Sequence, residues 1–356
     1  MKIVTIIGAR PQFIKAATVS RAISLHCDIE EIILHTGQHY DDNMSRIFFE
    51  ELDIRMPKYN LDINALSHGA MTGRMLEGIE SILQSERADM VLVYGDTNST
   101  LAGALAASKM NIPVAHIEAG LRSYNMQMPE EINRILTDRI SRFLFCPTDT
   151  AVENLMKEGF GSMDCKVIKA GDVMYDASVY YSAKAKPPAV DLPSRFVLAT
   201  LHRAENTDNI DRLSEIMDAF ATISDSLPVV LPLHPRTRSI LSKNNLLPKN
   251  NGVWLIDPVG YLNMIYLLNN TSLVMTDSGG LQKEAYFFKK PCITLRDETE
   301  WVELLNVGAN KLAGANKTEI LKCFHDFLSR RVNFPTALYG DGNAAMQIVN
   351  FLNENF

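Results

Sequence analysis

Nowhere does the chain hold about 18 consecutive apolar residues, so it offers no helix long enough to cross a bilayer. Its apolar opening, residues 3–8, runs straight into Arg10 and Pro11 with no small-residue cleavage site, and it reads as a buried first strand rather than a signal peptide. Cysteine is scarce. Cys27, Cys146, Cys165, Cys292 and Cys323 are odd in number and contain no CxxC, which argues against a disulfide framework or a zinc site and for free thiols in a reducing cytoplasm. The eight histidines show neither HExxH nor any other metal-ligand spacing, so no metal is expected. Positive charge is in deficit. With 35 Lys and Arg against 42 Asp and Glu, the net charge of −7 argues against a nucleic-acid partner, which needs basic excess to neutralise phosphates. GxGxxG and GxxxxGK[ST] are missing, so dinucleotide and Walker-type phosphate binding lack their fingerprints, and there is neither a GxSxG elbow nor a cysteine-centred triad.

What is present is an ordinary globular composition, 46% hydrophobic and 22% charged over 356 residues, a length that favours two domains over one. Short β-branched runs recur between helical patterns. The first half has them at 3–8, 29–36, 90–95, 113–118 and 142–148, the second at 195–202, 228–234, 253–256, 272–277 and 291–296. These runs are continuous rather than alternating, as expected of parallel strands covered by helices on both faces. Two such series imply an α/β protein of two doubly wound, Rossmann-type domains, with a hinge within about residues 170–195, where the stretch AKAKPPAVDLPS begins at 183. Ligands of such folds bind beyond the carboxyl ends of the strands, so an interdomain cleft is expected there.

Polar residues do cluster at those ends. After the first strand come Gly8, Arg10, Pro11 and Lys15, which equally suit a plain βα loop. The second ends in Thr36-Gly37-Gln38-His39. The third ends in Gly95-Asp96-Thr97, where Asp96 or Thr97 is an equally good helix N-cap. Glu118 stands at the end of the strand that carries His116, an unusual place for a carboxylate without a partner, and Arg122 follows. Pro129 with Glu130 and Glu131 opens a helix whose apolar face is Ile132, Ile135, Leu136 and Ile140. Glu130, Arg134 and Thr137 share another face, although Glu130–Arg134 also reads as an exposed helix pair. In the second half two strands end in histidine near arginine, His202-Arg203 and His234-Pro235-Arg236. One strand-end histidine is usually structural; two facing one cleft favour function. Ser278-Gly279-Gly280 bares backbone N–H groups at a helix start, a ready diphosphate site, with Glu284 placed for ribose hydroxyls. The same glycines also suit a tight corner. The pattern points to acid–base chemistry on an anionic, diphosphate-bearing substrate.

The strings GARPQFIKAA, TGQHYD, GDTNSTLAGALAA, HIEAGLRS, MPEEINR, TLHRAEN, TDSGGLQKEA and YGDGNAA, in this order from residue 8 to 345, resemble the bacterial non-hydrolysing UDP-N-acetylglucosamine 2-epimerases. The resemblance implies a GT-B-like pair of domains, 1–171 with 341–356 and 172–340, the last helix crossing back to the first domain and the second domain binding UDP. It implies Asp96, Glu118, Glu130 and His202 as catalytic. Arg10, Lys15, Gln38, His39, Arg122, Arg134, Arg203 and His234 would bind substrate, and Ser278, Gly279, Gly280 and Glu284 the diphosphate and ribose. It implies inversion at C2 by loss and re-addition of UDP through a 2-acetamidoglycal, with no cofactor, in a cytoplasmic homodimer serving O-antigen or capsule synthesis. Departures from the common family strings are RPQF for RPEA, Thr299-Glu300-Trp301-Val302-Glu303 for a TERPE-like string, and Met264 at a position often aromatic. They resemble a subgroup acting on UDP-2,3-diacetamido-2,3-dideoxyglucuronate. A hydrolysing 2-epimerase and a GT-B glycosyltransferase remain the alternatives.

Overall fold

The computed structural model describes residues 1–38, 52, 54–248, 250–335 and 338–356. The chain divides into two compact units, Met1–Ala177 with Thr336–Phe356, and Ser178–Pro335. The first is built on β1 (Lys2–Ile7), β2 (Glu30–His35), β3 (Tyr59–Asn60), β4 (Met90–Tyr94), β5 (Val114–Ile117), β6 (Phe143–Cys146) and β7 (Lys166–Lys169). All pairings are parallel, in the order β3-β2-β1-β4-β5-β6-β7. The second is built on β8 (Val197–Thr200), β9 (Val229–Pro232), β10 (Val253–Ile256), β11 (Leu273–Thr276), β12 (Cys292–Thr294) and β13 (Asn310–Leu312), again all parallel, in the order β10-β9-β8-β11-β12-β13.

The central strands β4, β5, β6 and β11 are buried along their whole length, as continuous apolar runs require; every residue of β4 is at 0% exposure. The helices of the first unit are α1 (Arg10–Ile23), α2 (His68–Glu86), α3 (Asn98–Lys109), α4 (Pro129–Ile140), α5 (Asp149–Lys157), α6 (Val173–Ser182, which runs across the division) and the C-terminal Ala344–Asn355. Small residues let α3 lie close on the sheet: a Cβ on Gly103 would stand 2.8 Å from Ile6 Cδ1. The C-terminal helix packs on α1 and sets Phe351 edge-on to Phe143 and Phe145, with ring centroids 6.0 and 5.7 Å away. Its first turn is capped by Asp176, which accepts from Ala344 N at 3.1 Å and Ala345 N at 2.8 Å. In the second unit, α7 (Ala204–Thr207), α8 (Ile210–Ser224), α9 (Pro235–Lys243), α10 (Tyr261–Asn270), α11 (Gly279–Phe287), α12 (Val302–Asn306) and α13 (Lys317–Ser329) complete the fold among the described residues.

Two sequence expectations need correction. Three strands escape the pattern reading, β3, β7 and β13; each is an edge strand of two to four residues, with partner strands on one side only. And α4 is turned the other way. Ile132 and Leu136 are 39% and 46% exposed, while Glu131, Asn133, Arg134, Thr137 and Asp138 are buried. The polar side faces inward because it holds the loops described next.

Candidate active site

Strand order reverses between β1 and β4 in the first unit and between β8 and β11 in the second. Loops leaving neighbouring strands in opposite directions open a crevice at such a point, the usual ligand position of this architecture. Asp96, His202 and Ser278 lie just beyond β4, β8 and β11, and Lys15 lies in the helix that follows β1.

In the first unit Gly8 has no room for a side chain: a Cβ would stand 2.0 Å from Thr36 Oγ1 and 2.2 Å from Ser99 Oγ. Buried Gln12 accepts from Gly8 N (2.8 Å) and Ala9 N (3.0 Å), and its amide donates to Tyr94 O and Thr100 Oγ1, both at 2.9 Å. A carboxylate could not make the last two bonds, so RPQF is a local adaptation that ties the β1 loop to the β4 loop. Gln38 Oε1 accepts from Ser99 N and Oγ (3.1 and 2.7 Å). Lys15 Nζ pairs with Glu118 Oε2, both side chains almost fully buried. Gly95, at φ +62°, lies under this pair, and a Cβ there would stand 3.2 Å from each partner.

Thr97, not Asp96, caps α3, accepting from Thr100 N at 3.2 Å. Asp96 is thereby released to pair with Arg134 Nη2 at 2.5 Å. Arg134 Nη1 donates to Glu131, whose carboxylate also accepts from Ser123 N and Oγ and from Tyr124 N. Asn133 Nδ2 donates to Asp96 O at 3.0 Å. Glu131, which the motif reading does not single out, is therefore the buried acid of the first turn of this helix; Glu130 is exposed, whereas Arg134 is buried. Glu118 lies one residue beyond β5 with φ +72°, a left-handed conformation that costs a non-glycine residue on the order of 1–3 kcal/mol. Such outliers gather at functional sites.

Behind these loops His116 is fully buried, its Nδ1 2.7 Å from Asp138 Oδ1 and its Nε2 2.7 Å from Gly95 O. Asp138 Oδ2 accepts from Gly120 N at 3.2 Å and Arg122 Nη1 at 2.7 Å. Burial alone would raise the Asp138 carboxyl, but His116 and Arg122 hold it below the ordinary aspartate range. Arg122 also donates to Leu121 O and, through Nε and Nη2, to both Glu158 oxygens. Its guanidinium is engaged by these interior partners. Arg10 is the first residue of α1, and His39 lies outside the described residues.

In the second unit, buried Asp277 receives His202 N (3.0 Å), Arg203 N (2.9 Å) and His202 Nδ1 (3.0 Å). Burial pushes the Asp277 carboxyl up, and the His202 ring with the two N–H groups outweighs it, leaving it lowered. The His202 side chain is 53% exposed, with Nδ1 engaged and Nε2 directed away from the carboxylate. Asp277 is thus a further functional candidate; its signal is a carboxylate directly after a strand, beside Ser278. Ser278 caps α11 through Leu281 N at 3.4 Å. A Cβ on Gly280 would meet nothing within 4 Å, whereas one on Gly279 would stand 2.3 Å from Glu300 Oε1. Glu284 is buried on α11, Arg203 is half-buried, and His234 caps α9 by accepting from Arg236 N at 3.3 Å. Among the described residues no group of His, Cys, Asp and Glu side chains could hold a metal ion, and no helix is long and apolar enough to cross a membrane.

Two wholly parallel Rossmann-type units with charged residues at their switch points define an α/β enzyme of the GT-B-like nucleotide-sugar class. The family model for UDP-N-acetylglucosamine 2-epimerase matches residues 21–353. A Pseudomonas aeruginosa protein named UDP-2,3-diacetamido-2,3-dideoxy-D-glucuronate 2-epimerase is 56% identical over 355 residues, 99% of each chain. The UDP-GlcNAc 2-epimerase of Methanocaldococcus jannaschii, solved with UDP-GlcNAc and UDP, superposes with a TM-score of 0.90 at 44% identity, covering 100% of both chains. That of Neisseria meningitidis, bound to UDP-GlcNAc, gives 0.90 at 33% identity over 100% of both chains. The chain belongs to the UDP-N-acetylglucosamine 2-epimerase family.

Proposed function

We propose that this chain inverts C2 of UDP-2,3-diacetamido-2,3-dideoxy-D-glucuronate by elimination and re-addition of UDP. The observation that carries the mechanism is that Asp96 and Glu118 stand beyond adjacent strands of one sheet, each paired with a cation from another element, Arg134 and Lys15. The relative at 56% identity supports the choice of sugar. The C2 hydrogen is not adjacent to a carbonyl carbon, so plain deprotonation is too costly. When the C1–O bond breaks first, its electron pair leaves with the β-phosphate and C1 becomes electron-poor. A carboxylate then takes the C2 proton, and the C–H electrons form the C1–C2 double bond of a glycal. A proton delivered to the opposite face of C2, followed by UDP attack at C1, completes the inversion. Removal from one face and return to the other needs two acid–base groups, the roles given to Asp96 and Glu118.

In this reading Glu130, exposed at the start of α4, orients or relays, and Lys15, Arg10, Arg134, Gln38 and His39 are assigned to binding the sugar and phosphates. The second unit takes the UDP moiety: the N-terminus of α11 at Ser278, Gly279 and Gly280 stabilises the departing diphosphate, Glu284 takes the ribose, and Arg203 and His234 add donors. His202, oriented by Asp277, exchanges a proton with the leaving oxygen. We place the reaction in the cytoplasm, within O-antigen or capsule synthesis, and the enzyme as a homodimer; light scattering on the purified protein tests the last point.

Incubation in D₂O with UDP-GlcNAc and with the diacetamido glucuronate tests the whole. Deuterium at C2 with UDP retained in the sugar nucleotide is expected, fastest with the glucuronate. Stoichiometric free UDP and free sugar would mean hydrolysis, and UDP release only with an added acceptor would mean glycosyl transfer.

A further inference from the structure

Building on that acid–base reading, we propose that His116 and Asp138 are a positioning pair that sets the spacing of Asp96 and Glu118. Both side chains are fully buried, so neither touches substrate. Each is nonetheless one bond from a loop that carries a proposed acid–base group. Gly95, the residue before Asp96, is held on both sides by β5: its N–H donates to Ile117 O at 2.9 Å, and its carbonyl accepts from His116 Nε2 at 2.7 Å. Gly120, two residues after Glu118, donates to Asp138 Oδ2, and Arg122 donates to the same oxygen. The left-handed backbone of Glu118 persists only because its surroundings over-determine it. Those surroundings are Phe145 O, which receives both Glu118 N and Ala119 N at 3.1 Å, and the Asp138-bound turn that follows.

Gly95 O can only accept, so His116 Nε2 donates to it, and Nδ1 of the same ring lies 2.7 Å from Asp138 Oδ1. Stability does not explain such an arrangement. Apolar side chains replacing the whole buried polar cluster would continue the Val114–Ala115–Ile117 strand, and such well-packed replacements are often neutral or stabilising. What an apolar residue could not do is link Gly95 to the turn after Glu118. Asp138 reaches that turn from α4, the same helix that sends Arg134 and Asn133 to Asp96. One helix and one histidine therefore hold both loops to a common reference, and a displacement of about 1 Å between reacting groups is enough to lower a rate about a hundredfold.

The two nitrogens of His116 can be separated by substitution. Gln places its amide near Nε2 and keeps the Gly95 bond; Asn places its amide near Nδ1 and keeps only the Asp138 bond. Steady-state kinetics with UDP-GlcNAc and UDP-2,3-diacetamido-2,3-dideoxy-D-glucuronate, with a thermal melt for each protein, should show both variants losing kcat by about tenfold to a hundredfold at KM near the wild-type value, because each breaks one end of the link between Gly95 and Asp138. Wild-type kcat in either variant, or losses that follow the melting points alone, overturns the proposal. If His116→Asn does not fold, Asp138→Asn replaces it: a fall in kcat at unchanged KM supports the proposal and wild-type kcat overturns it. Wild-type enzyme and Asp96→Asn run alongside. An inert wild type overturns the acid–base reading and this inference with it, whereas an active wild type, an impaired Asp96→Asn and a His116 variant with wild-type kcat overturn this inference alone.

Discussion

Arg134 Nη2 donates to Asp96 Oδ2 at 2.5 Å while Nη1 of the same guanidinium holds Glu131. One cation thus joins a proposed acid–base residue to a buried carboxylate that anchors the Ser123–Tyr124 turn. Arg134→Met leaves Glu131 buried without its counter-charge. The expected loss is about 3 kcal/mol of unfolding free energy, read from urea titration, together with loss of turnover. A change below about 1 kcal/mol would show that the Ser123 and Tyr124 bonds alone stabilise Glu131.

Glu118→Gln and His202→Ala should each lower kcat at least about a hundredfold, the scale of a lost acid–base group. Losses under about tenfold in both variants would reject the roles assigned to them. Asp277→Asn should reproduce much of the His202 defect in kcat while leaving UDP affinity, measured by calorimetry, within a few-fold of wild type, because Asp277 fixes the His202 ring from behind.

Glycines 279 and 280 should separate. At Gly280 a methyl group meets nothing within 4 Å, and replacing a helical glycine by alanine stabilises by about 0.5–1 kcal/mol. Gly280→Ala is therefore expected to melt higher than wild type yet bind UDP more weakly, because the methyl group occupies space over the N-terminus of α11. A higher melting point with unchanged UDP affinity would move the diphosphate away from this turn.

Burial pushes the Asp176 carboxyl up to about 6, against the opposing effect of the Ala344 and Ala345 N–H groups. A raised carboxyl binds its proton more tightly in the folded than in the unfolded chain, so its contribution to stability falls as pH rises from about 4 to about 6. The stability of wild type relative to Asp176→Asn should therefore increase as pH is lowered from 7 to 4. A pH-independent difference in urea midpoint would show that Asp176 does not titrate in that range.

Ten strands and their parallel arrangement are legible in the chain because strands buried on both faces demand unbroken apolar runs, and at one edge residues 253–256 still coincide with β10. The other edge strands, β3, β7 and β13, are not legible. β7 reads Lys-Val-Ile-Lys, with its two lysines exposed and no run to mark it. Helix α4 is the opposite failure. Its apolar periodicity is real, but Ile132 and Leu136 face outward because Glu131, Arg134 and Asp138 have partners inside. Periodicity identifies the helix and one face; it carries no term for which face has hydrogen-bond partners waiting.

The chain by itself determined the α/β class, the strand ends at which Asp96, Glu118, His202 and Ser278 stand, and the family, since these depend on local apolar runs and short ordered strings. Tertiary structure alone decided which polar groups meet. It paired Lys15 with Glu118 and Arg134 with Asp96, committed Arg122 to Asp138 and Glu158, and set Asp277 behind His202. Those partners are distant in sequence, and a hydrogen bond is chosen by ångström-scale distance and direction, which residue spacing does not encode.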